Sequence, residues 1–382
     1  MNICKKYYIL LIGAILFLET AAVQGVYDLS VAPDITATTG VVIDVENGQV
    51  IWEKDMHQKR PPASTTKILT AVVALEEGNL DEVVAVSRKA TLQEGSSIYL
   101  KPGEKITLRD LLYGLLLASG NDSAVAIAEH IAGSVKKFSV LMNRKAREIG
   151  AHNSQFMNPS GLPEEGHFST AYDLALIMRY ALQNEVFSEI TATRKKIISG
   201  PDNKWGRRLK NHNKLLWTYK KTTGGKTGYT KTAGRCLIAS AKQKNLEVVS
   251  VVLDCPSDWE DTKKLFTYSF TNFMRQKVVS RGEKVFELNW KNSQEKKLQL
   301  ISGQDGHIVK PVSRQIKIKK RIYINPDLKL PLKKGTEVGK IQINFQGQPV
   351  KEIPLYAGNS IHHDSPFIRF WHNMSDYFKN VD

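Results

Sequence analysis

The chain has 382 residues, with 54 Lys+Arg against 38 Asp+Glu, a formal charge of +16 and a pI near 9.5. That length exceeds the usual single hydrophobic core, so one large domain and a smaller one are expected. Three cysteines are too few for a disulfide framework.

Met1-Asn2-Ile3-Cys4-Lys5-Lys6, an apolar run from Tyr7 to Leu18 and small residues at Ala21, Ala22 and Gly25 form the pattern of a signal peptide over residues 1–25. The run is shorter than the about 20 residues of a spanning helix. Export removes Cys4 and leaves Cys236 and Cys255 in or beside neighbouring strand-like runs, read as buried unpaired thiols with a bridge left open. Export also changes the meaning of the charge. Outside the membrane the polyanions are phospholipid headgroups and anionic wall polymers rather than nucleic acid, while solvated faces serving solubility alone explain the charge equally well.

Val41 to Val45 and Gln49 to Lys54 flank Asn47-Gly48, a strong hairpin signal. From Ser64 to Glu77, Ile68, Leu69, Ala71, Val72 and Leu75 recur at helical spacing, and Pro61-Pro62 prevents the helix from extending backwards, so a buried helix starts at Ala63 or Ser64. Thr107 to Leu117 and Ser123 to Ala132 predict two apolar helices separated by Ser119-Gly120-Asn121-Asp122. Asp173 to Gln183 predicts a helix, Lys226 to Gly228 opens a strand, two strands follow around Gln243 to Asn245, and Thr262 to Gln276 predicts a closing helix. Beyond about residue 280, short alternating segments such as Gln315 to Lys319 and Lys340 to Phe345, broken by Pro and Gly, predict a small all-β domain. Phe367, Ile368, Phe370, Trp371, Met374, Tyr377 and Phe378 form one apolar stripe on a terminal helix. The expected plan is α+β with boundaries at 1–25, 26–278, 279–360 and 361–382.

A Ser followed three residues later by Lys places both on one helix face, where the amine can take the hydroxyl proton during attack on a carbonyl. The pattern occurs at Ser64-Lys67, Ser134-Lys137 and Ser293-Lys296, and only the first begins an apolar helix. Ser64 at a helix mouth suits a nucleophile beside an oxyanion hole, and desolvation of Lys67 would depress its pKa toward that of a general base. Ser119-Gly120-Asn121 and Lys226-Thr227-Gly228 are the sole Ser-x-Asn and Lys-Thr-Gly in the chain, and the three elements in this order are far more specific than any one.

With these motifs the mature sequence resembles the penicilloyl serine transferases. Within that superfamily, Phe156 to Pro163, His167 to Asp173 and Asn211 to Trp217 are similar to hallmarks of the D-alanyl-D-alanine carboxypeptidases. The resemblance implies a β-lactamase/transpeptidase-like catalytic domain with an antiparallel sheet packed by helices, a small all-β domain and a terminal amphipathic helix. It implies that Ser64 is acylated while Lys67 accepts its proton, Ser119 relays a proton to the leaving D-Ala, and Asn121 holds the substrate amide. Lys226 and Thr227 would bind the terminal carboxylate, with Arg208 assisting. Gly228 would allow close approach, and the amides of Ser64 and Tyr229 would form the oxyanion hole. The implied partners are the peptidoglycan stem peptide, β-lactams and, through the terminal helix, the outer face of the cytoplasmic membrane. Neither cofactor nor metal is implied, and His362-His363 lack a third ligand at zinc-like spacing. The nearest rivals are a D,D-endopeptidase, a class A β-lactamase, disfavoured by Gly120 in the second motif, and a wall-bound scaffold, disfavoured by intact Ser64, Lys67 and Lys226.

Overall fold

The computed structural model describes residues 32–200, 206–289, 297–313, 318–345 and 348–362. The expected signal peptide, the Ser-x-x-Lys at Ser293, residues 315–317 and the stripe from Phe367 lie outside them.

The hairpin predicted around Asn47-Gly48 forms from β1 (Thr39–Asp44) and β2 (Val50–Lys54), with Gly48 at φ +75° in the turn. The predicted helix at Ser64 begins instead as a 3-10 turn, Ala63–Thr66, and becomes α-helical as α1 (Lys67–Glu77). Residues Lys67 to Ala74 are all buried, as expected of a helix apolar on every side but one. It is surrounded by α3 (Leu108–Leu117), α4 (Asn121–Ala132), α5 (Val135–Ile149) and α6 (Ala171–Ala181), after the small elements β3 (Val83–Ala85), α2 (Arg88–Thr91) and β4 (Lys105–Thr107). At Ser134 the Ser-x-x-Lys is a helix cap: its side chain accepts from the Lys137 amide, 3.2 Å away.

Next come α7 (Glu185–Ala192), the hairpin β5 (Lys195–Ile198) and β6 (Arg207–Lys210), and α8 (Leu215–Thr218). Then β7 (Thr222–Thr230), β8 (Gly234–Gln243) and β9 (Leu246–Leu253) complete an antiparallel sheet of order β2-β1-β9-β8-β7, leaving β7 as an edge. Val248 to Leu253 are buried on both faces, since α6 and α9 (Asp258–Asn272) both pack on β9. Two expectations shift here. Lys226 lies in mid-strand, and α9 stops at Asn272 because the run from Phe273 pairs with a later strand as β10 (Phe273–Val279). Cys236 and Cys255 are free and buried.

The all-β part comprises β10 paired with β13 (Gly306–Pro311), and a sheet of β11 (Lys284–Asn289), β12 (Lys297–Ser302), β14 (Lys319–Ile324), β15 (Glu337–Phe345) and β16 (Gln348–Ala357). Its core is aliphatic, with Leu298, Leu300, Ile341, Ile343, Ile353 and Leu355 buried together. A charged clamp ties it to the β1–β2 turn: Arg275 pairs with buried Asp44 and, at 2.9 Å, with Glu46, which also contacts His307 at 3.0 Å and Lys351 at 3.2 Å. Burial raises the Asp44 pKa, opposed by Arg275. The Gln49 side chain adds two bonds to the Val309 backbone.

Candidate active site

The first element of the site is the 3-10 turn. Ala63, at φ +49°, and Ser119, at φ +61°, hold left-handed conformations that non-glycine residues adopt at a cost of about 1–3 kcal/mol, and such strain clusters at functional sites. Gly161 packs on that turn so closely that a Cβ would lie 1.8 Å from the Ala63 carbonyl oxygen, which reserves the position for glycine.

Lys67 is fully buried, and its Nζ lies 2.9 Å from Ser64 Oγ, 2.7 Å from Asn121 Oδ1 and 2.6 Å from the Ser160 carbonyl oxygen. Burial pushes its pKa well below the ordinary lysine range, the Lys226 charge adds to that, and Asp122 opposes it. A neutral amine keeps two N–H groups for Asn121 and Ser160 and turns its lone pair toward the Ser64 hydroxyl, the arrangement of a general base beside a nucleophile.

Asn121 opens α4, with Gly120 rather than a side chain at the cap. Its amide donates to the Ser96 carbonyl at 2.7 Å and its Nδ2 to the Glu94 carbonyl at 2.5 Å. Next to it, buried Asp122 accepts from Ser97 Oγ, the Ile98 amide and the Leu100 amide. These bonds fix the 94–100 segment over the start of α4 and aim Asn121 Oδ1 at Lys67.

The third element is the edge strand β7. Lys226 Nζ donates to Ser119 Oγ at 3.0 Å and to the Thr227 carbonyl at 2.7 Å, and burial lowers its pKa to about 7. A Cβ on Gly228 would lie 3.1 Å from both the Ser64 amide nitrogen and Ala63 Cβ, so the missing side chain lets the strand pack on the turn that carries Ser64. Thr227 is half-buried and Tyr229 exposed on either side of it.

Thus Ser64, Lys67, Ser119, Asn121 and Lys226 meet in two hydrogen-bonded groups, one on Lys67 and one on Lys226, whose charge reaches Lys67. Arg208 is different. It is exposed in β6 opposite Ile197 and shares none of these bonds, whereas neighbouring Arg207 is engaged by Glu104 at 2.7 Å. Sequence reasoning missed the Ser160 carbonyl, Asp122 and His212. The Asn158-to-Gly161 turn was visible as a motif, but a backbone carbonyl leaves no signature of its contacts. His212 sits between buried Asn211 and Asn213, its amide donates to the Leu117 carbonyl at 3.0 Å, and burial together with Lys226 lowers its pKa. Among the described residues no group of three His, Cys, Asp or Glu could hold a metal ion.

A helix-flanked antiparallel sheet with Ser and a desolvated Lys one turn apart defines a serine acyl-transfer enzyme. Residues 28–257 match the family model described as D-alanyl-D-alanine carboxypeptidase, and residues 273–363 match that of the penicillin-binding protein 5 C-terminal domain. The chain belongs to the D-alanyl-D-alanine carboxypeptidase family. It is 34% identical to the D-alanyl-D-alanine carboxypeptidase DacF of Bacillus subtilis over 84% of this chain and 85% of that protein. It is 32% identical to DacC of Escherichia coli over 94% and 92%. Penicillin binding protein 5 of Haemophilus influenzae superposes with a TM-score of 0.74 at 29% identity, covering 87% of this chain and 99% of that one.

Proposed function

We propose that the protein is a serine D,D-carboxypeptidase that removes the terminal D-Ala from peptidoglycan stem pentapeptides through an acyl-enzyme on Ser64, and that β-lactams acylate the same residue. The observation that carries this reading is the buried Lys67 amine facing Ser64 Oγ at 2.9 Å with both of its other bonds satisfied. Ser64 Oγ attacks the penultimate D-Ala carbonyl and its proton passes to Lys67. The amides of Ser64 and Tyr229, brought together by Gly228, take the developing oxyanion. As the C–N bond breaks, Ser119 gives its proton to the leaving amine and is resupplied by Lys226, to which it is already bonded, and the proton that Lys67 took from Ser64 restores Lys226, leaving Lys67 neutral again. Water then attacks the ester, Lys67 accepts its proton and returns it to Ser64 Oγ as the ester bond breaks, and the shortened peptide and Ser64 are freed. Asn121 orients the substrate amide. Lys226, titrating about neutrality, becomes fully cationic as the terminal carboxylate arrives beside Thr227.

The domain limits 26–278 and 279–360, export through residues 1–25, and peripheral attachment to the outer face of the cytoplasmic membrane by 361–382 belong to the same reading and rest on the sequence patterns. Among the described residues no helix is long and apolar enough to cross a membrane. The test incubates native protein and Ser64→Ala with a pentapeptide ending in D-Ala-D-Ala and with a crosslinked dimer. Ser64-dependent release of free D-Ala, and a penicillin adduct seen by intact mass in the native protein alone, are expected. Scission of the dimer without D-Ala release would overturn the carboxypeptidase reading in favour of an endopeptidase.

A further inference from the structure

One short run of the chain holds more than half of its net charge. From Arg194 to Lys221 there are ten Lys or Arg and a single acid, Asp202, in a chain of charge +16. Folding concentrates these cations. In the hairpin of β5 and β6, Lys195 stands directly opposite Lys210, and Ile197 opposite Arg208. The four share one face and all are exposed, while Ile198 and Leu209 are buried on the other. Like charges directly opposite one another on a sheet are destabilising. Yet among the described residues Arg207 is the one cation of the run with a carboxylate partner, Glu104. Lys210 lies 5.6 Å from the ring centre of Trp217 in α8, and Lys214, Lys220 and Lys221 carry the exposed charge on to the start of β7.

The hairpin is fastened to the edge strand of the active site. Asn211, next to Lys210, donates through its side chain to the Thr191 and Thr193 carbonyls at 3.1 and 3.0 Å. Thr191 Oγ1 in turn exchanges two bonds of 3.0 Å with the backbone of Gly225, one residue before Lys226. The basic face therefore keeps a fixed place beside the cleft. The aromatic rings along it are already engaged: besides Trp217, the Tyr113 ring centre lies 4.6 Å from Lys196 Nζ and that of Trp259 6.0 Å from Lys214 Nζ. Rings that face ammonium groups are poorly placed to enter a bilayer or to stack on nucleobases. Ile197 is a single exposed apolar side chain among the described residues of the hairpin, too little for insertion into lipid.

We propose that this face docks a linear anionic polymer of the cell wall, a polyol chain joined by phosphodiesters, and so holds the enzyme beside its substrate. A phosphate between Lys195 and Lys210 replaces their repulsion with charge-assisted hydrogen bonds, and Arg208, about 7 Å along the same face, meets the next repeat. The inference goes beyond the proposed reaction, since polymer binding needs neither substrate nor Ser64.

The test measures binding of the full chain to poly(glycerol phosphate), to phosphatidylglycerol vesicles and to a single-stranded oligonucleotide over a salt series. Lys195→Gln with Lys210→Gln is compared with Lys136→Gln with Lys137→Gln, exposed in α5, which removes the same charge elsewhere. The hairpin pair should weaken polymer binding about tenfold and lower the slope of log K against log salt by about 1.5. It should leave Tm and penicillin acylation of Ser64 unchanged, and the α5 pair should bind the polymer as the native protein does. No binding of the polymer by the native protein, or equal weakening by both pairs, would overturn the surface. Tighter hairpin-dependent binding to the vesicles or to the oligonucleotide would overturn the polyol phosphate as its partner. Absence of D-Ala release with polymer binding intact would overturn the carboxypeptidase reading and leave this one standing.

Discussion

The catalytic body and the β-rich part each contain a five-stranded antiparallel sheet, yet they place their polar groups in opposite ways. The body buries Lys67, Lys226, Asn121, Asp122, Asn211 and Asn213, and all six described non-glycine residues with left-handed φ lie before Cys255. In the β-rich part the core is aliphatic, and the charges pair on its surface, as in Lys340–Glu352 and Lys297–Glu287. Burying an amine disfavours its charged form and straining a backbone disfavours folding, so the body trades stability for reactivity, whereas the β-rich part needs only to pack.

The largest effect that would test this contrast is on rate. Lys67→Met should lower acylation by about 10²- to 10⁴-fold, the usual contribution of a positioned general base, without a matching fall in Tm. Stopped-flow acylation by a chromogenic cephalosporin beside thermal melts would check it, and a Tm drop large enough to explain the lost activity would break the comparison.

The clamp between the two parts is next. Arg275→Met leaves Asp44 buried without its cation and should destabilise by about 3–5 kcal/mol. Denaturant melts should show much of that loss relieved in Asp44→Asn with Arg275→Met, which removes the stranded charge.

His167 supplies a pH signature of the body. Burial lowers its pKa from the ordinary 6.5 to about 4, and Thr66 Oγ1 at 3.1 Å and the Met157 amide at 3.4 Å serve the neutral ring. The unfolded chain takes up this proton below pH 6.5, while the folded chain resists until about 4. Stability is therefore complete above 6.5 and drains as pH falls through that window, by up to about 3 kcal/mol. Urea midpoints from pH 7 to 4 should flatten in His167→Gln relative to the native protein.

The smallest change belongs to the β-rich part. Ile341→Val, in its aliphatic core, should cost about 0.5–1.5 kcal/mol and leave kcat/KM for D-Ala release unchanged. A substantial rate effect would mean that the two parts are coupled beyond the clamp.

Most of the architecture was legible because its signals are local. Asn47-Gly48 between alternating runs, Pro61-Pro62 before an apolar helix, and the alternation beyond residue 280 each act within a few residues. The misjudged end of the last helix has a non-local cause: Phe273 to Val279 reads Phe-Met-Arg-Gln-Lys-Val-Val, with no strand alternation of its own, and becomes a strand by pairing with β13. Arg208 shows the limit of motif alignment, since one step along β6 reverses which side chain faces inward.

By itself the sequence determined the chemical parts, Ser64 with Lys67, Ser119 with Asn121, and Lys226 to Gly228, because a one-turn spacing or a three-residue motif is written in consecutive residues. Only the tertiary structure decided that they meet and that the Ser160 carbonyl and Asp122 hold them. Those relations join residues up to more than a hundred positions apart, and burial and chain packing, which have no local signature, set both their distances and the charge states of the two lysines.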